Sequence, residues 1–582
     1  MIGIGVNISP FLNKVARTVA NYYNRVISDG ATIESLECVN TNLSQLDSKN
    51  LLDSASLVMI PSGYKEDIVY SEVPSSNAGD LSFTRASDGT RINSAGLVEV
   101  VPWNLVQQSN VFNTTWTIGV NTTVTSGFSD PFGGSNAWRL TMPNTTGTFL
   151  QQAFTFDAVP YTFSVWAKSN GNTNLTLQIN GSSEIAYVLT NEWQRITLTY
   201  TPTVGASNVG IGNGVSSVDA LIYGAQLNIG STAKPYFPTT DRLNVPRLTY
   251  QNGGGGCPSL LLEKQSTNLV VQSNDMTTWT NGGARMTKNA TTSPDGTNNA
   301  LSFDNSGGCS TFVSASNGVH AWSLFVKQGT SATASIDMSD GATGDVITTF
   351  TFATKTFSGT SAGGSWTSPS TSYIDLGNGW YRITLIGTKN AGSLIGHTII
   401  ASGSGYTYVY GAQLEASSYP TSYIPTTSAS ATRVKDAIGN QTTSIAQAFT
   451  DNSKGTVFFD LRNIKIGGAD AARFRFGDSS SSLQFALYIG PIGVGVYSYK
   501  ATAGFVISQS TTSAQKLAVK FDGNTIVGFS NGVKRNTITA SSSFSIDQMT
   551  DNDTGDLCWE KNQFILFNAV LTDAECISLT TI

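Results

Sequence analysis

One ordered duplication constrains this 582-residue chain more than any other feature. The run NLVQQSNVFNTTWT at 104–117 returns as NLVVQSNDMTTWT at 268–280. SDPFGGSNAWRL around Pro131 returns as TSPDGTNNALSF around Pro294, with Pro131 and Ala137 each 163 residues ahead of their counterparts. YTFSVWAK, ending at Lys168, matches HAWSLFVK, ending at Lys327. EWQRITL at Trp193 matches GWYRITL at Trp380, and YGAQLNIGSTAKPYFPTT matches YGAQLEASSYPTSYIPTT, both at an offset of 187. Five blocks in the same order mark one domain present twice. The growing offset places net inserted residues between Lys327 and Trp380, expected in loops.

Within the repeat, apolar and polar residues alternate, as in Leu175, Leu177, Ile179 and again Ile196, Leu198, Tyr200. Period two means one buried and one wet face, the pattern of packed antiparallel sheets. Each copy has the length of a jelly roll. Composition agrees: charged residues are only 12% of the chain, against roughly 25% in average soluble proteins, and Gly, Ser, Thr and Asn take their place. Such residues supply the backbone angles of tight turns.

The flanks differ. Ser9-Pro10 predicts a helix start, with Leu12, Ala16, Val19, Tyr23 and Val26 at helical spacing and a stop at Asp29-Gly30. A second helix from Thr32 carries Leu36, Val39, Leu43 and Leu46 at coiled-coil spacings. The pair folds either as a hairpin on its own chain or as an oligomerising or docking anchor. Residues 80–99 predict a hairpin with turns at Asp88-Gly89 and Ala95-Gly96. After 436, Leu517, Val519 and Phe521 alternate into an Asp522-Gly523 turn, and Val527 and Phe529 return to Asn531-Gly532. FILFNAVLTDAEC predicts a strand and then a helix with a Thr572/Glu575 capping box. The fold expected is mainly β: tandem antiparallel jelly-roll sandwiches with a short N-terminal α-helical segment. Its parts are a helical anchor or oligomerisation segment (1–53), a β linker (54–101), sandwich one (102–242), a hinge around the GGGG run (243–262), sandwich two (263–435) and a terminal sandwich (436–582).

Several function classes are disfavoured. The net charge is −6 with no basic block, so the cationic surface of a nucleic-acid binder is missing. No run reaches the ~20 apolar residues of a membrane helix, and the N-terminus lacks a signal-peptide pattern. Five scattered cysteines without a CxxC pair read as reduced, mostly buried thiols. Only two histidines exist. His320 stands where the other copy has Tyr161, and His397 lies in an apolar run, so both read as packing residues rather than catalysts or zinc ligands. There is no Walker loop. Glycoside hydrolysis needs only two carboxylates, which keeps a glycan depolymerase as the rival reading; here, though, Asp88, Asp295 and Asp522 sit in turn contexts. The same Asp-Gly turns offer at most scattered oxygens to calcium, and no cofactor is expected. For sugar stacking, aromatics outside the repeat are the candidates: Trp366 in a Gly/Ser-rich stretch of the insertion, and Tyr497 and Tyr499 on one face of a terminal strand.

YGAQLE…YPTSYIPTT with GNGWYRITL resembles the carbohydrate-binding-module-like jelly rolls of phage structural proteins. LAVKFDGNTIVGFSNGV…FILFNAVLTDAE is similar to laminin-G/concanavalin-type sandwiches. RVISDGATIESLECV, SLVMIPSGYKEDIVYSEVPSS and LSFTRASDGTRINSAGLVE resemble N-terminal and linker segments of tailed-phage virion proteins. The resemblance implies a non-enzymatic head or tail fibre or decoration protein on the virion surface, made in the host cytoplasm. It implies other virion proteins as partners of the N-terminal segment, a host-surface glycan as ligand, and a homotrimer. A purely architectural decoration protein is the other alternative.

Overall fold

The computed structural model describes residues 14–582 except 145–147, 172–173, 181–182, 214–216, 252, 342–343, 401–403, 440–444, 446, 467–470, 479–482, 491–492, 501–503, 510–514 and 551–556. The chain forms two compact units. One holds residues 100–245 with 27–32, and the other holds 33–99 and 246–582 with the start of the chain.

The first unit is sandwich one. One sheet runs Gln194–Tyr200, Tyr161–Ser169, Val218–Ile229, Ala137–Met142, Thr123–Phe128, and the facing sheet Ser183–Val188, Asn174–Ile179, Gly205–Asn213, Thr148–Phe156, Thr117–Ile118. The pairs are antiparallel. Their inward side chains, among them Leu140, Phe163, Leu177 and Ile211, form one core.

Sandwich two repeats this order. Gly318–Gln328 lies between Trp380–Lys389 and Tyr406–Glu415, as Tyr161–Ser169 lies between Gln194–Tyr200 and Val218–Ile229. The inserted residues form two extra strands, Thr356–Ala362 at the edge of one sheet and Trp366–Gly377 at the edge of the other.

The repeated motifs are structural staples. Asn104 donates from Nδ2 to the carbonyls of Ala225 and Phe237, at 3.0 and 2.9 Å. Asn268 does the same to Ala412 and Ile424, at 3.0 and 2.8 Å. Trp116 and Trp279 donate their indole N–H to the carbonyls of Gln108 and Val271, and both rings are buried. The glycine of YGAQL sits at a register shift in each copy, with φ +65° at Gly224 and +59° at Gly411. A Cβ there would lie 3.0 Å from Trp166 and 2.8 Å from Phe325, so both backbone angle and space require glycine.

The terminal sandwich is not made from residues after 436 alone. Its larger sheet runs Leu248–Thr249, Ser259–Glu263, Leu557–Phe567, Lys454–Ile466, Gln515–Asp522, Thr525–Ser530, Val533–Thr539, and Ala55–Met59 also pairs with Leu557–Phe567. The stretch read as a hinge therefore supplies two strands. Its four glycines all have positive φ, and a Cβ on Gly254 would meet the Gly96 backbone at 2.4 Å. The run is a close-packed crossing rather than a flexible joint. Next to it, Cys257 is disulfide-bonded to Cys38, which corrects the reading of these two cysteines as reduced thiols. Cys309 and Cys576 are free and buried. The Thr572/Glu575 capping box forms, and starts the helix Asp573–Thr580.

In helix α1 (Lys14–Ser28) the buried face is shifted from the expected stripe: Val15, Tyr22 and Val26 are buried, Ala16 and Val19 are half-buried and Tyr23 is exposed. Helix α2 (Leu36–Ser48) starts at Leu36 rather than Thr32, which lies in a short strand, and buries Val39, Leu43 and Leu46 as expected. Ser35 caps α2 by accepting from the Cys38 N–H; Ser9 and Pro10 lie outside the described residues. Tyr22 bonds Ser62 at 3.0 Å and Arg25 pairs with Asp80 at 2.5 Å. Both helices therefore pack against other parts of their own chain. Of the 80–99 stretch, the Ala95-Gly96 turn joins Gly89–Ile92 to Val98–Val101, whereas Leu81–Thr84 pairs with Ile68–Val69 and Ala437–Ile438.

Candidate functional site

The smaller sheet of the terminal sandwich carries a meander, Leu483–Gly490, Gly493–Ser498 and Gly504–Gln509. Phe485, Leu487, Ile489, Val494 and Val496 point inward and are buried. Alternation then sends Tyr488 and Tyr497 to the outer face. Across the ladder Tyr497 stands between Ala486 and Phe505, and Tyr488 stands opposite Gly495. Four rings result in contact: Tyr497 lies 4.8 Å from Tyr499, 5.0 Å from Phe505 and 6.5 Å from Tyr488, and Phe505 lies 5.1 Å from Tyr488. Tyr499 is 38% exposed and the other three are half-buried. Burial raises the Tyr499 hydroxyl pKa, with the nearby Arg475 pulling it back. Asn536 donates to the Phe505 carbonyl at 3.0 Å, bringing an amide to the rim. An aromatic floor edged by a guanidinium and an amide can stack on an apolar ring face and bond its hydroxyls.

Trp366 is placed elsewhere. It is 2% exposed and packs in the core of sandwich two, over Gly387, where a Cβ would come within 3.0 Å of its ring. No face is offered to a sugar, which removes it from the candidates. The Gly/Ser-rich neighbours that suggested a loop form the two added strands, and the indole fills the space between them. The histidines are also packed: His397 lies 5.1 Å from Trp279 and 4.9 Å from Trp322, and burial pushes its pKa down to about 3.

A second polar constellation was invisible in the sequence. Arg85, Arg247 and Arg433, all 1% exposed or less, meet Asp436 and Glu263. Arg85–Asp436 is 2.9 Å, Arg247–Glu263 and Arg433–Glu263 are each 2.8 Å, and Arg247 also pairs with Asp436. Burial alone would raise Glu263, but Arg433 and Arg247 hold it well below the usual carboxylate range. A cavity of about 430 Å³ opens beside this hub, lined among others by Arg91, Tyr250, Tyr373, Arg382 and Glu560. Arg91 pairs there with Glu34 and Glu99, and Glu560 accepts from Gln251 and Asn463. Among the described residues no three His, Cys, Asp or Glu gather to hold a metal ion.

No family model and no curated protein matches the chain. Solved structures do align. The CBM40 of a Ruminococcus gnavus IT-sialidase is 18% identical over 22% of this chain and 82% of its own, with a TM-score of 0.19. The tandem CBM22 domains of Paenibacillus barcinonensis Xyn10C are 14% identical over 54% and 97%, with a TM-score of 0.20. The LG1-3 region of the laminin alpha2 chain is 9% identical over 73% and 96%, with a TM-score of 0.14. Scores this low carry no argument, and the architecture rests on the strand pairing itself.

Proposed function

We propose that this chain is a non-enzymatic adhesion and display protein on the outside of a bacteriophage particle, binding surface glycans through its terminal sandwich. The observation that carries the reading is the four-ring floor of Tyr488, Tyr497, Tyr499 and Phe505 on the outer face of the smaller terminal sheet. Stacking of a pyranose on such a floor is weak singly. Several copies, as in a homotrimeric fibre, raise the effective concentration of each site for its neighbours. The phage setting rests on the sequence resemblance. Because the inner stripes of α1 and α2 are taken up by their own chain, docking to other virion proteins falls to the outer face, where Tyr23 is 40% and Ile27 44% exposed.

The test is a glycan array probed with the purified chain and with Tyr497→Ala and Tyr499→Ala, with oligomeric state read by light scattering. A sugar signal lost in either variant supports the site. A signal indifferent to both refutes it, and a blank array favours an architectural role. Release of reducing ends from the bound glycan would establish the depolymerase alternative instead.

A further inference from the structure

The duplication allows each surface of one sandwich to be compared with its counterpart in the other. On the outer face beside the YGAQL bulge the same constellation occurs twice. In sandwich one, Trp166 lies 5.4 Å from Tyr236 and 6.2 Å from Tyr223, and the Arg195 guanidinium lies 4.5 Å over the Trp166 ring. In sandwich two, Phe325 lies 5.6 Å from Tyr423 and 6.0 Å from Tyr410, with Arg382 at 5.3 Å. The polar supports match as well: Arg195 donates to Ser164 and Arg382 to Ser323, and Ser109 bonds Tyr236 as Ser273 bonds Tyr423.

What differs is the cover. In sandwich two the hairpin Gly89–Ile92/Val98–Val101 lies across the patch. Ile92 and Val98 pack with Phe325, Tyr410 and Tyr423; the Val98 N–H donates to the Pro294 carbonyl at 2.9 Å, and Thr90 donates to the Tyr423 carbonyl. Phe325, Tyr410 and Tyr423 are thereby reduced to 2–3% exposure and Arg382 to 6%. In sandwich one Tyr223 is also buried, at 7% exposure, but Trp166, Tyr236 and Arg195 remain half-buried. Phe132, at the position where sandwich two has Asp295, rests 5.6 Å from Trp166 and is 62% exposed.

We propose that the Phe132–Trp166–Tyr236 patch of sandwich one is a docking surface for a protein β-hairpin that presents aliphatic side chains, as Ile92 and Val98 do on the equivalent patch of sandwich two. The occupant is inferred from this internal precedent: the same aromatics, arginine and serine supports receive that chemistry once within the molecule. The partner is a segment of another protein, and the site is separate from the tyrosine floor of the terminal sandwich.

A synthetic peptide of residues 89–101, cyclised to hold the hairpin, serves as the probe and is titrated onto the full chain by calorimetry. Saturable one-to-one binding in the micromolar to sub-millimolar range is expected. Trp166→Ala should weaken it about tenfold or more, and Trp166→Phe, which installs the residue of sandwich two, should hold it within about threefold. Phe132→Ser, a change at an exposed ring that cannot empty the core, should weaken it about threefold. A peptide with Ile92 and Val98 replaced by serine should not bind. Absence of saturation, or equal binding by all variants, overturns the proposal. So does self-association abolished by Phe132→Ser, which makes the occupant a second copy, or a glycan signal lost in Trp166→Ala, which makes it a sugar.

Discussion

Replacing Arg247 by methionine keeps the apolar stem of the side chain while deleting the guanidinium at the centre of the buried hub. Four partners lose a donor: the Thr90 carbonyl at 3.0 Å, Ser422 Oγ at 2.6 Å, Glu263 at 2.8 Å and Asp436. Removing one member of a buried ion pair costs about 3–5 kcal/mol, because the opposite charge stays buried. Here each carboxylate keeps one guanidinium, Asp436 that of Arg85 and Glu263 that of Arg433. The expected loss is therefore at the lower end, about 3 kcal/mol. Urea unfolding at pH 7 measures it. The pH dependence tests the cause. A carboxylate held below its usual 4.5, as Glu263 is, contributes stability above that value and loses it as pH falls. Arg247→Met weakens this contribution, so the gap between wild type and variant should narrow below pH ~4.5. A loss under about 1 kcal/mol, or a gap that does not change with pH, would refute the ionic account.

Other expectations follow from single residues. His397, with its pKa near 3 against 6.5 when unfolded, stays neutral in the fold, so stability should be full above pH 6.5 and fall below it by up to about 1.4 kcal/mol per pH unit; His397→Phe should flatten that slope in acid melting curves. Gly411→Ala places a Cβ 2.8 Å from Phe325 at φ +59° and should cost about 1–3 kcal/mol by chemical denaturation, with Gly224→Ala similar. Cys38 and Cys257 are 219 residues apart, and opening so long a loop is worth up to about 5 kcal/mol in chain entropy. Cys38→Ser, or a reductant, should lower the melting temperature of the unit that holds both cysteines, and an unchanged temperature would show that the bond contributes nothing.

The sequence revealed what is periodic or repeated. The duplication located both sandwiches, and the offset change located the insertion, though as loops rather than the two strands that form. Alternation put Tyr497 and Tyr499 on one face, and their rings lie 4.8 Å apart, with Tyr499 just past the end of the strand. It failed where meaning depends on distant partners. Nothing in the sequence around Arg85 signals a buried ion pair, and only its meeting with Asp436, 351 residues away, makes it part of a core. Cys38 and Cys257 carry no spacing signal for the same reason. Trp366 misled because glycine and serine mark loops in most sequences, while here they line strands at a sheet edge.

The place of Leu557–Phe567 also sets an order of events during synthesis. This strand lies between Lys454–Ile466 on one side and Ser259–Glu263 and Ala55–Met59 on the other. On a ribosome adding about 5–20 residues per second, the Ala55–Met59 strand waits on the order of half a minute or more for its neighbour to be made. Sandwich one has all its strands between residues 117 and 229 and meets no such delay. A chain released early would carry a finished first sandwich on an N-terminal region with an open strand edge. Only translation through Leu557–Phe567 closes that edge, so the fold itself distinguishes chains that reach this strand from chains interrupted before it.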